Sequence, residues 1–449
     1  MSLPSKSTDE AKEYVLKTAK EQGIKFIRLW FTDILGFLKS FALPVEGLED
    51  ALEDGVGFDG SSIQGFVRID ESDMIAMPDP TTFCQLPWRP KEPAGVARMF
   101  CDIYNIDKKP FEGDPRFVLK RNLKKASDKG YIFYVGPELE YFYFKDSKGT
   151  EPLDVGGYFD MDTQDAATDL RRDTVLALEA MGIGIDKSHH EAAISQHEID
   201  MRYDDALTMA DNVMTYRLVV KEVAHQHNVY ATFMPKPVYG INGSGMHVHQ
   251  SLFKGSTNAF FDPKEKFFLS KIGASFLAGL LKYAPEFTSI TNQWVNSYKR
   301  LVPGYEAPVY LSWAQRNRSD LIRLPAYKVG KEKETRFEIR SPDPAANPYL
   351  CFSVLLAAGL KGIEEKLVPP PPVEENVYHM SEADKQKRGI GQLPGSLWEA
   401  IQLTEKSELV REALGKHTFN AFISNKKIEW DQYRVLVTGY EIEKFLPIL

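Results

Sequence analysis

The feature that most constrains this chain is a set of short segments in which ionisable residues occupy every second position between strongly apolar ones. In "GPELEYFYF", Glu138 and Glu140 are two apart. Successive side chains of a strand point to opposite faces, so these two carboxylates point the same way. "QHEIDMRY" sets Gln196, Glu198, Asp200 and Arg202 on one face and Ile199 and Met201 on the other. "GMHVHQSL" pairs His247 with His249, and "TRFEIRSPD" aligns Arg336, Glu338 and Arg340 against Phe337 and Ile339. Any one of these segments is explained as a half-buried strand with its charge turned to water. Their combination says more: if these faces converge, the like charges need cations to be tolerated. Carboxylate oxygens with an imidazole suit Mg²⁺ or Mn²⁺ better than Zn²⁺. A carboxylate-bound metal beside several arginines points to phosphoryl chemistry.

Composition narrows the field. The 449 residues carry 55 Lys+Arg and 63 Asp+Glu, a net charge of −8 with 43% hydrophobic residues, as in ordinary globular proteins. A net acidic chain lacks the positive field that phosphate-backbone binding needs, so no nucleic-acid partner is expected. The basic stretches "KRNLKK" and "DKQKRG" read as solvated faces. No apolar run reaches the ~20 residues of a membrane span, and "MSLPSKSTDEAKEY" is too polar for a signal peptide. Three scattered cysteines without a CxxC indicate neither a disulfide framework nor a zinc site, and a cytoplasmic location is expected.

Periodicity predicts an α+β chain. A helix opens at the Ser7/Glu10 capping-box spacing and ends at Gly23, followed by a hairpin of "IKFIRLWFTD" and "FLKSFALP" and a later strand "ARMFCDIYN". These form a small domain over residues 1–108, with a larger one over 109–449. Asp114, Pro115 and Gly130 bracket the next helix as N-cap, first residue and terminator. Further helices are read in 162–182, 204–228, 264–287 and 347–367. "PPPP" at 369–372 begins a long exposed loop. "NGSGMH" carries small residues that let backbone approach a ligand, and "NSYKRLVPGYEAP" reads as a mobile loop around Glu306.

From about residue 15 to the C-terminus, the chain resembles the glutamine synthetases of the prokaryotic type I class. "FTDILG", "FDGSSIQGF", "ESDM", "GPELEYF", "HHEAAISQHEID", "NGSGMHVHQSL", "NSYKRLVPGYEAPVYLSWAQRNRS" and "RFEIRSPDPAANPYLCFS" stand in family order. The length resembles the short subtype, without the insertion associated with adenylylation. The resemblance implies a small N-terminal β-grasp domain and a large catalytic domain with an antiparallel half-barrel backed by helices. It implies a homo-dodecamer of two stacked hexamers with active sites between subunits. One divalent cation would be held by Glu140, Glu191 and Glu198, and a second by Glu138, His247 and Glu338. His249, Ser251, Arg323 and Arg336 would bind ATP, and Asn242, Gly243, Arg300 and Arg340 would bind glutamate. Arg318 would stabilise the transferring phosphoryl group, Glu306 would close the glutamate entrance, and Asp59 would bind and deprotonate ammonium from the adjacent subunit. Arg68 matches an arginine linked to glutamine feedback. A PII-like or small inhibitory protein is a further partner the resemblance allows.

Two segments depart from the family pattern. Ile194 and Ser195 stand where members commonly carry smaller residues, Gly or Pro, and the surroundings of Tyr378 poorly match the adenylylation site, so it reads as an ordinary loop tyrosine. Two other functions compete. Ligases that join glutamate to an organic amine often alter the ammonium pocket, whereas Asp59 and Glu306 are both present here. A non-catalytic member of the fold would lose metal ligands or Arg318, and none is lost.

Overall fold

The computed structural model describes residues 8–63, 65, 73–89, 94–161, 165–305, 307–317 and 319–449. Ser7, Arg68, Glu306 and Arg318 lie outside the described residues. The first helix, Thr8–Glu21, packs Val15 and Ala19 into the core of a mixed sheet. That sheet contains β1 (Ile24–Thr32), β2 (Leu38–Pro44), β3 (Val56–Asp59), β4 (Asp73–Pro78), β5 (Cys84–Gln85) and β6 (Gly95–Asn105). Their order is β2-β1-β6-β4-β3, with β5 against β6. The expected hairpin pairs antiparallel, whereas β1 and β6 run parallel. A helix laid on such a sheet is the β-grasp arrangement.

The second sheet curls into a half-barrel. Its strands are β7 (Ile132–Phe144), β8 (Ile185–His190), β9 (Gln196–Met201), β10 (Asp204–Asp205), β11 (Tyr230–Thr232), β12 (Met246–Lys254), β13 (Thr257–Asn258), β14 (Trp313–Ala314), β15 (Ile322–Arg323) and β16 (Phe337–Ile339). The main path is β14-β15-β16-β12-β7-β9-β8. Pairing is antiparallel as expected, except for the short parallel pair β14–β15. One face buries Leu139, Ile199, Val248, Phe337 and Ile339 against the helices, so the alternate residues are left to face the other way.

The helices form where their patterns predict, though with shifted ends: Pro115–Asp128, Thr168–Ala180, Ala206–Gln226, Lys271–Thr291, which runs past the expected end at 287, and Pro348–Glu364. Asp114 caps the first of these, accepting the Arg116 N–H. The helices 271–291 and 348–364 touch backbone to backbone. A Cβ on Gly279 would lie 2.2 Å from the Ala358 carbonyl oxygen, and one on Gly362 would lie 2.1 Å from that of Ser275. The stretch after "PPPP" differs from the expected exposed loop. It forms a helix at Glu382–Lys387, buries Val373, Val377 and Leu393, and bonds to the 307–319 segment through Tyr378 Oη to Ala307 O (3.1 Å) and Gln315 N to Glu374 (3.0 Å). Spacing of polar residues cannot reveal such contacts, because the partner segment is distant in sequence. No helix among the described residues is long and apolar enough to cross a membrane.

Arg116 ties the first sheet to a helix packed behind the second. Its guanidinium donates to Asp102 of β6 (2.6 Å), to Asp79 just after β4 (2.8 Å) and to Asp211 of the 206–226 helix (3.0 and 3.2 Å). Tyr349 Oη donates to the same Asp211 at 2.6 Å. Burial disfavours the Arg116 charge, but the three carboxylates outweigh it and hold the cation firmly protonated. Arg116→Met would leave those carboxylates clustered without their cation. It is expected to destabilise the protein by about 3–5 kcal/mol in denaturant unfolding, whereas a loss below about 1 kcal/mol would show the network to be dispensable.

Candidate active site

Strand register brings part of the predicted set together. His247 on β12 lies opposite Glu138 on β7, and Glu138 lies opposite Asp200 on β9. One pleat along, Glu140 faces Glu198, and Glu198 faces His189 on β8. On the other side His249 faces Glu338, which faces Arg323. Charged residues from six strands thus form one continuous face.

Three clusters on this face could hold cations, one of them formed by Glu138, Glu198 and Asp200. Ligand atoms of Glu138, His247 and Glu338 lie within 4.8 Å of one another, as do those of His189, Glu191 and Glu198. His247 Nδ1 is 3.7 Å from Glu138 and 3.8 Å from Glu338, and its Nε2 is 3.8 Å from Glu140. These separations are too long for hydrogen bonds. Donors that share one ion at about 2.0–2.3 Å stand roughly 3–4 Å apart, so the spacing suits a bridging cation. Electrostatics agree. Burial and then the Glu191 carboxylate push Glu140 up to about 8, and burial with Asp200 pushes Glu198 well above the usual carboxylate range. The carboxylates repel one another unless a divalent charge joins them, and the oxygen-rich set with an imidazole fits a hard ion.

Arginines and histidines set the other carboxylates. Burial raises Glu338, but Arg340 and the two histidines outweigh it and bring it down to about 2. Arg323 donates to it at 2.9 Å, and Arg340 donates to its other oxygen. Arg336 Nε donates to His249 Nδ1 (3.2 Å), which leaves His249 Nε2 to donate to Glu138 at 3.0 Å. Burial also opposes the Glu138 charge, yet His249 and His247 hold it below the usual range.

Beside this face opens a cavity of about 540 Å³, lined in part by Glu138, His249, Ser251, Arg323 and Arg336. A second, tighter recess is lined by Glu140, Glu191, Asn242, Gly243, His247 and Arg300, among others. Arg300 is buried and donates to the carbonyls of Ser341 (2.6 Å) and Arg340 (3.1 Å). Gly245 has no room for a side chain, since a Cβ would lie 2.5 Å from Arg300 Nη2 and 2.9 Å from His247 Nε2. Its N–H donates to Glu140 at 2.8 Å, so the small residues of "NGSG" let backbone press against the charged face. Asp59 is not brought here. It sits exposed at the end of β3, accepts the Ser61 N–H at 2.8 Å, and lines neither recess.

The structure adds residues to which the sequence reading assigns no role. Asp200 lies within reach of Glu138 and Glu198, and Lys187 pairs with it at 2.5 Å. Asp200 shares its face with Glu198 at i+2, a signal already present in "QHEID"; His189 could be placed only by pairing β8 with β9. Lys333 lines the larger cavity, from a segment without strand periodicity.

Models of known families now bear on the chain. The model "Glutamine synthetase, catalytic domain" matches residues 112–445, and "Glutamine synthetase, beta-Grasp domain" matches residues 23–106. The chain belongs to the glutamine synthetase family. A glutamine synthetase of Methanosarcina mazei is 53% identical over 442 residues, 98% of this chain and 98% of that protein. One of Mycolicibacterium smegmatis is 52% identical over 445 residues, covering 98% of this chain and 100% of the relative. A solved structure described as a GmaS/ADP complex superposes with a TM-score of 0.88 at 32% identity, covering 96% of this chain and 99% of that one. The family's reaction is the ATP-dependent ligation of ammonia to the γ-carboxylate of glutamate, and the family uses divalent cations.

With Glu140 protonated up to about pH 8, a cation that takes this carboxylate must expel a proton. Divalent-cation affinity should therefore rise as pH increases toward about 8 and level off above it. Calorimetric titration with Mn²⁺ in buffers of different ionisation enthalpy measures the released proton. Proton-neutral binding at pH 6.5 would contradict the assignment.

Proposed function

We propose that the charged face of the half-barrel is the catalytic centre of a glutamate–ammonia ligase. The observation that carries this reading is the register that gathers Glu138, His247 and Glu338 at the edge of a cavity walled by Arg323 and Arg336. Glu138, His247 and Glu338 would hold one Mg²⁺ or Mn²⁺, and Glu140, Glu191 and Glu198 the other. Bound there, the ions would offset charge on the phosphates of ATP.

The chain's own residues then divide the work. His249, Ser251, Arg323 and Arg336 hold the nucleotide in the larger cavity, while Asn242, Gly243 and Arg300 hold glutamate in the tighter recess, with Arg340, paired with Glu338, as the fourth contact. Its γ-carboxylate attacks the terminal phosphorus of ATP, giving γ-glutamyl phosphate and ADP. Arg318 stabilises the transferring group, and Glu306 closes the entrance against water that would hydrolyse the acyl phosphate. Ammonia attacks the acyl carbon and phosphate leaves. Ammonium has no free lone pair at neutral pH, so a base is required. Asp59 supplies it from a neighbouring subunit, a reading supported by its exposed place on the N-terminal sheet, away from the recesses of its own chain. Such sharing requires an oligomer, and we assign the homo-dodecamer of two stacked hexamers. Arg68 would couple glutamine to inhibition, and a PII-like or small inhibitory protein is a candidate regulator. A cytoplasmic location is supported by the three free cysteines.

Glutamine formation from ATP, Mg²⁺, glutamate and ammonium tests the reading, with putrescine and ethanolamine as competing amines. Phosphate release that prefers either amine to ammonium would overturn it. Glu338→Gln is expected to lower turnover by about 100-fold or more, since metal-borne charge stabilisation is worth several kcal/mol. Near-normal turnover would remove Glu338 from the ligand set.

A further inference from the structure

Behind the charged face, on the opposite side of β8 and β9, lies a buried polar network that the reaction does not use. Asp154 is at its centre, with its side chain fully buried. One carboxylate oxygen accepts His190 Nε2–H at 2.9 Å and the Ser195 N–H at 3.0 Å. His197 Nε2 stands 3.4 Å from the other oxygen. Arg171 donates to His197 Nδ1 at 2.9 Å and grips Asp165 with both arms, at 2.9 and 2.6 Å. Ligand atoms of Asp154, His190 and His197 lie within 4.8 Å of one another, yet this is no metal site. The guanidinium already covers His197 Nδ1, and both nitrogens of His190 are engaged: Nδ1 lies 2.7 Å from the Glu191 carbonyl oxygen. Both of those partners only accept, so His190 donates twice.

The network closes on the turn that carries Glu191. His190 enters the turn, and Ser195 leaves it with φ = 59°, in the left-handed region that favours glycine. Ser195 holds that conformation by accepting the N–H groups of Leu153 (2.6 Å) and Asp154 (3.0 Å) on its hydroxyl. This gives a physical reason for the sequence departure at Ile194–Ser195: the hydroxyl compensates for a backbone that glycine would adopt freely. Across the turn, Glu191 N donates to Gln196 O at 2.7 Å.

We propose that Asp154 and His190 are positioning residues for Glu191: one buried carboxylate pins both ends of the 191–195 turn and so aims the Glu191 side chain at Glu198 and His189. The proposal rests on the reading of Glu191 as a metal ligand. Partners that orient ligands from behind typically set metal affinity by about 10–100-fold.

Mn²⁺ binding to the full-length protein, followed by the electron paramagnetic resonance signal of the free ion, provides the test, with melting curves to establish that each variant is folded. Glu191→Gln defines the class of bound Mn²⁺ that depends on this carboxylate. If it removes none, the ligand reading itself fails and the proposal with it. Asp154→Asn is expected to weaken that same class by about 10–100-fold and to leave the other class unchanged. Because this variant also removes a buried charge, His190→Gln is its companion: it leaves Asp154 its carboxylate and its bond from the Ser195 N–H and deletes only the anchor at the start of the turn. A weakening of the same class is expected there too. If Glu191→Gln weakens binding but either folded companion binds both classes normally, the turn needs no anchor and the positioning role is overturned.

Discussion

The site depends on like charges forced together by strand pairing. Glu138, Glu140, Glu198, Asp200 and Glu338 stand on adjacent strands because the opposite faces of those strands are buried against helices. A register slip of one residue would turn the whole set into the core, so burial of Leu139, Ile199, Val248 and Ile339 enforces the arrangement. The energy of the apolar layer therefore holds in place a polar layer that repels itself.

That repulsion is not relieved evenly. Glu138 and Glu338 have His249, Arg323 and Arg340 beside them and are held ionised. Burial pushes Glu140 and Glu198 upward, with Glu191 adding to it at the first and Asp200 at the second, and Arg300 and Arg340 do not bring Glu140 back down. One half of the face is thus charged in advance, while the other half holds protons that a bound cation would have to displace. The contrast follows from position: the arginines enter from β15 and β16, at the far side of the sheet from β8 and β9.

A good part of this was legible in the chain itself. Alternation in "GPELEYF", "QHEID", "GMHVH" and "RFEIR" identified the charged strand faces, and the quoted motifs supplied Glu191, which lies on a turn and leaves no periodic trace. The cap at Asp114 and the helix after it were readable because N-cap chemistry is local. The segment after "PPPP" was not, since its packing against residues 307–319 depends on contacts far apart in sequence. The same holds for the Asp154 network, whose members come from a loop, a helix and two strands.

The sequence by itself determined which residues could share a face, because a strand's period is two wherever the strand lies. It also set a condition: if those faces converge, their like charges need cations to be tolerated. Only the tertiary structure decided which face meets which: that His247 stands opposite Glu138 rather than another carboxylate, and that Lys187 covers Asp200. It alone showed that Ser195 takes a left-handed backbone held from behind. Register and long-range burial are properties of the assembled sheet, set by the joint packing of its strands on the helices, and no single segment encodes them.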